Sequence, residues 1–70
     1  MAASIRITVN GEPREAPSGE TVLDLLKRLE IDPERVAVEL NRKIVRQPLW
    51  SATALQDGAE MEIVQFVGGG

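Results

Sequence analysis

Hydrophobic positions along this chain switch between a period of two and a period near 3.6, and each switch marks an element. In "SIRITVNGEPREA", Ile5, Ile7 and Val9 alternate with Arg6 and Thr8, which predicts a half-buried strand. Asn10-Gly11 supplies the positive-φ pair that two-residue hairpins prefer, so Glu12 to Ala16 return as a polar edge strand ended by Pro17. The period then lengthens. In "SGETVLDLLKRLE", Val22, Leu25, Leu26 and Leu29 form one apolar helical stripe, with Asp24, Lys27, Arg28 and Glu30 on the wet face. Thr21 is the expected N-cap, with Asp24 reaching back as a variant capping box. "IDPER" breaks the helix. "VAVEL" returns to alternation, with Val36, Val38 and Leu40 inward and Ala37 and Glu39 outward, and Asn41-Arg42 turns the chain into the short strand "KIV". "RQPLWSATALQDG" lacks a clean period and reads as a turn plus a short helical segment, with Leu49, Trp50 and Leu55 as a lid on the core. Asp57-Gly58 then turns into a last strand, "AEMEIVQF".

The order strand, strand, helix, strand, short strand, strand predicts an α+β fold: one mixed sheet of four to five strands with one main helix across one face. The last strand carries a mismatch. Met61 and Ile63 share the core face, so Val64 and Phe66 point to the face that no helix covers, unless a bulge turns one of them back. Exposed there, they would make a docking patch for a partner that handles the end of the chain.

Composition narrows the chemistry. Seventy residues make one domain near the lower limit for a self-sufficient core. Trp50 and Phe66 are the only aromatics, so that core is aliphatic. A net charge of −3 lacks the basic stripe that nucleic acid requires. Cysteine and histidine are both absent, which removes thiol nucleophiles, thiolate metal sites and the commonest general base. No apolar run approaches the roughly 20 residues of a membrane span, and no signal peptide opens the chain, so a cytoplasmic location is expected. The scattered acids have no metal-loop spacing, and no metal site or resident cofactor is expected. A partner-dependent role fits better than an enzyme.

The remaining feature is the ending "VGGG": a domain over 1–66 is followed by a flexible glycine tail over 67–70. A terminal carboxylate is ionised at neutral pH and inert as an electrophile. Attack on the α-phosphate of ATP would make an acyl-adenylate, from which a thiol, persulfide or amine can displace AMP. Glycine suits delivery of that carboxylate, because a chain without Cβ atoms passes through a narrow channel. Val67 to Gly70 reach roughly 13–14 Å when extended. Gly68, Gly69 and Gly70 are therefore read as the segment entering a partner's active site, with Val64, Phe66 and Val67 docking behind it.

From Ile5 to Gly70 the chain resembles the ThiS family of sulfur carriers. The resemblance rests on "VNGE", "GETVLDLLKRL", "VAVELNRKIV" and, most specifically, "LQDGAEMEIVQFVGGG". It implies a ubiquitin-like β-grasp fold and a role in making the thiazole of thiamin. It also implies three partners: a ThiF-like E1 adenylyltransferase using ATP and magnesium, a persulfide donor such as a cysteine desulfurase, and a ThiG-like thiazole synthase. By position, Gly69 and Gly70 match the family's diglycine and Gly70 would carry the thiocarboxylate. Ala59 departs from the family, which often has an acid there. Three alternatives share the fold: the small subunit of molybdopterin synthase, a ubiquitin-like protein modifier, and an interaction module with an incidental tail. The absence of proline in "QFVGGG" favours the thiamin carrier over the molybdopterin one.

Overall fold

The computed structural model describes residues 3–66. Its strands are β1 (Ser4–Val9), β2 (Glu12–Pro17), β3 (Val36–Leu40), β4 (Lys43–Val45) and β5 (Glu60–Gln65). One α-helix, α1 (Val22–Arg28), lies between β2 and β3. The sheet order is β2-β1-β5-β3-β4. β1 and β5 run parallel at the centre, and the other neighbours are antiparallel. A mixed five-stranded sheet with one main helix is the β-grasp arrangement of ubiquitin-like proteins.

Both hairpins turn as their residue types require. Asn10 and Gly11 have φ of 51° and 82°, and Asn41 and Arg42 have 52° and 70°, the left-handed pairs of a tight hairpin turn. Arg42 holds that conformation without glycine's freedom. Pro13 and Pro17 sit on β2, at one edge of the sheet, where a missing N–H costs no ladder bond.

The helix starts as expected and stops earlier. Thr21 accepts the Asp24 N–H at 3.1 Å, and Asp24 accepts the Thr21 N–H at 3.2 Å, so both arms of the capping box are made. At the other end Leu29 is the cap and Glu30 takes a φ of 59°. The Ile31 N–H reaches back to the Leu26 carbonyl and the Glu30 N–H to that of Lys27, the two bonds of a Schellman stop. The sequence hides that stop, because glutamate occupies the position where glycine is usual. Ile31 packs on the core beyond it.

Val22, Leu25 and Leu26 are fully buried against Ile7, Val9, Val36, Val38 and Met61 of the sheet. Seven helical residues cannot hold a helix alone, so this packing supplies the stability. Trp50 and Leu55 close the core as expected. Leu49 does not: it is 55% exposed. Gln47–Ala52 form a 3-10 helix, in which neighbouring side chains diverge by a third of a turn, so Trp50 facing inward sends Leu49 outward. The Trp50 indole donates to the Val45 carbonyl at 2.7 Å, tying this segment to β4.

One acid is buried. Glu20 accepts two hydrogen bonds from the Arg28 guanidinium, at 2.8 and 2.9 Å. These bonds hold Arg28 above the ordinary arginine pKa, against the opposing pull of partial burial.

Candidate functional site

The part of the chain that leads to the glycines is β5, which lies between β1 and β3. On the β3 side its pairing is unbroken over five residues, from Leu40 beside Met61 to Val36 beside Gln65. The Phe66 N–H adds one more bond, to the Arg35 carbonyl at 2.8 Å. A ladder this regular contains no bulge, so alternation decides where each side chain points.

Met61 is buried and Ile63 is half-buried on the helix side. Val64 and Phe66 face outward and are 57% and 58% exposed. Sequence reasoning placed both correctly. It missed a further exposed apolar residue on the same face, Ile44, which is 75% exposed on β4. The signal was available. Glu39 reads as outward, and a two-residue turn at Asn41–Arg42 puts Ile44 opposite Glu39 and therefore on the same face. Ala37 lies beside Val64 on β3, so Ile44, Ala37, Val64 and Phe66 share one side of the sheet.

Acids flank these apolar groups. Glu39 stands directly across from Glu62, and Glu60 follows on the same face of β5. Arg42 lines the same shallow hollow of about 410 Å³ with these three carboxylates and Thr8. Like charges directly opposed across two strands cost a few tenths of a kcal/mol or more. The face thus combines an uncovered apolar strip with an acidic border. Among the described residues, no three Asp or Glu side chains gather as ligands for a metal ion.

Val67, Gly68, Gly69 and Gly70 lie outside the described residues. The described chain ends at Phe66, on the central region of the sheet and at the exposed strip.

Comparison with known proteins gives a consistent match. The model of the ThiS family matches residues 7–70. A thiazole synthase of Magnetococcus marinus is 42% identical over 66 residues, a stretch covering 94% of this chain and 20% of that protein. The chain therefore spans about a fifth of that relative's length. The sulfur carrier protein ThiS of Escherichia coli is 29% identical over 94% of this chain and all of its own length. The crystal structure of the thiamine biosynthesis protein ThiS from Geobacter metallireducens superimposes with a TM-score of 0.79 at 36% identity, covering 94% of this chain and all of that one.

Proposed function

The chain belongs to the ThiS family, and from that premise we propose that it carries sulfur for thiazole formation in thiamin biosynthesis, with the Gly70 carboxylate as the reacting group. The observation that carries the reading is the family match through residue 70, joined to a strand that leads toward those glycines from an exposed apolar face. The thiazole synthase of Magnetococcus marinus supports the choice of acceptor, since a segment like this whole domain occurs within it. No comparable observation favours a molybdopterin acceptor or a protein modifier.

The chemistry belongs to partners and uses this chain as a substrate. A ThiF-like adenylyltransferase with ATP and magnesium joins the Gly70 carboxylate to AMP and releases pyrophosphate. The sulfur of a persulfide displaces AMP, and a thiol then cleaves the acyl disulfide, leaving a thiocarboxylate on the carrier and a disulfide on the donor side. A ThiG-like thiazole synthase takes up the sulfur. In this reading Val64, Phe66 and Val67, together with the exposed Ile44, dock the carrier while Gly68 to Gly70 enter the active site.

The test is an intact mass after incubation with ATP, magnesium, the adenylyltransferase and a persulfide donor. The expected product is heavier by the difference between one sulfur and one oxygen, localised to Gly70, and it supports thiazole formation by a ThiG-like enzyme. Removal of Gly69 and Gly70 abolishes the product while leaving the thermal unfolding midpoint unchanged. An unaltered mass with partners active on another carrier refutes the reading.

A further inference from the structure

β1 accompanies β5 only part of the way. Thr8 lies beside Glu60 and Val9 beside Met61, and the chain then turns away at Asn10-Gly11 into β2. The Asn10 main-chain N–H donates to the Met61 carbonyl at 2.8 Å. Its carboxamide takes over from there. Oδ1 accepts the Ile63 N–H at 2.8 Å, and Nδ2 donates to the Ile63 carbonyl at 3.3 Å. A primary amide offers the same donor and acceptor as a peptide group, so this side chain stands in for a further residue of β1.

The other hairpin does the same at the opposite end and on the opposite edge of β5. Asn41 Oδ1 accepts the Glu60 N–H at 2.9 Å, and the Asn41 N–H donates to the Glu60 carbonyl at 2.7 Å. Glycine would satisfy either turn, because φ is 51° at Asn10 and 52° at Asn41. The turns alone therefore do not account for asparagine. The grip on β5 does.

We propose that Asn10 is a positioning residue for the reacting end, holding Ile63 on the edge that β1 abandons and so setting the direction in which the chain leaves the sheet after Gln65. This role rests on the carrier reading. With Asn10 in place, β5 is held on both edges as far as Ile63, by the carboxamide on one and by Val38 of β3 on the other, and only the last three described residues depend on the β3 edge alone. Without it, only the β3 edge holds, and the strand end can swing about that edge. Displacement of a reacting group by about an ångström is enough to cost a large factor in rate.

The test compares Asn10→Gly, Asn10→Asp and Asn41→Gly in the complete chain, by amide exchange and by steady-state adenylation with ATP and a ThiF-like enzyme. Both glycine variants preserve the positive-φ turns. Asn10→Gly is expected to speed Ile63 amide exchange about tenfold. It should lower kcat about five- to tenfold, the worth of one or two net hydrogen bonds, with the KM for the carrier within about twofold. Asn10→Asp, which keeps the acceptor and loses the donor, should fall between Asn10→Gly and the wild type. Asn41→Gly loosens β5 at Glu60, away from the reacting end, and should leave kcat within about twofold. Unchanged Ile63 exchange in Asn10→Gly overturns the proposal. So does faster exchange with an undiminished kcat, or a fall in Asn41→Gly as large as in Asn10→Gly. A wild-type chain that is never adenylated overturns the carrier reading and the positioning role with it, whereas active wild type with an indifferent Asn10→Gly overturns the positioning role alone.

Discussion

The substitution Phe66→Ala separates docking from chemistry. Phe66 is 58% exposed, so of the roughly 200 Å² that a phenylalanine can bury, about 120 Å² remains for a partner to cover. At about 25 cal/mol per Å² that area is worth at most about 3 kcal/mol. Imperfect burial and the cost of association reduce this to about 1.5 kcal/mol, or roughly tenfold in affinity. The fold loses less, about 1 kcal/mol, because the ring contributes nothing to the helix-side core. The assay is ATP–pyrophosphate exchange catalysed by the adenylyltransferase, with carrier concentration varied. A contact made equally in ground and transition states raises KM and leaves kcat alone. The expected result is a KM about tenfold higher at unchanged kcat, matched in direction by Ile44→Ala. Lys27→Ala, on the exposed side of α1, serves as the control and leaves KM unchanged. A Phe66→Ala carrier with wild-type KM, or a Lys27→Ala carrier with the same defect, refutes docking through this face.

Three further outcomes concern the scaffold. Glu30→Gly relieves a left-handed residue at the end of α1 and should stabilise the fold by about 1 kcal/mol, raising the unfolding midpoint by about 4–8 °C; a lower midpoint contradicts the Schellman assignment. Glu20→Ala strands Arg28, but that side chain is 40% exposed and rehydrates, so the expected loss in urea unfolding is about 1–2 kcal/mol rather than the 3–5 of a fully buried pair. Because the Glu20 hydrogen bonds raise the Arg28 pKa, Arg28's contribution is complete below the unfolded-state arginine value and fades only as pH rises through the still higher folded value. From the Arg28 side, then, the stability gap between wild type and Glu20→Ala stays constant from about pH 6 to 10, and a gap that closes over that range contradicts the assignment. Trp50→Phe loses the bond to Val45 and part of a fully buried ring, for about 2–3 kcal/mol by thermal unfolding; a change under about 0.5 kcal/mol shows that the indole is not a structural tie.

The elements legible in the sequence were those whose signal is local and repeated. Alternation from Ile5 to Val9 and from Val36 to Leu40, the Leu25-Leu26 stripe and the Asn-Gly turn each state their own geometry. The outward placement of Val64 and Phe66 was equally legible, because alternation runs through a ladder without a bulge. What was hidden depends on partners distant in sequence or on unusual backbone. Glu20 reads as one more surface acid until α1 brings Arg28 beside it. The end of α1 falls at a glutamate doing a glycine's task, and Leu49 turns outward because its segment winds as a 3-10 helix. Asn10 was legible as a turn residue and hidden as a strand partner, since Ile63 lies 53 positions away.

The asparagine contacts from the two hairpins converge on one strand. β5 carries the path to the glycines, and it is held by β3 along its length, by β1 at its start, and by an asparagine from each hairpin. Under the proposed function the chain end is drawn into a partner's active site, and that load passes to the strand that precedes it. On an edge strand such load opens one ladder from its end. β5 is held on both edges from Glu60 to Ile63, so load that peels the end held by β3 alone meets the second edge at Ile63. The same sheet leaves its outer face uncovered beside that strand, with Val64 and Phe66 exposed where the described chain ends. A carrier read this way needs a rigid body, an apolar face near the end of β5 and a strand end held in place, and the Asn10 grip is the part of that design a glycine substitution can remove without disturbing the turn.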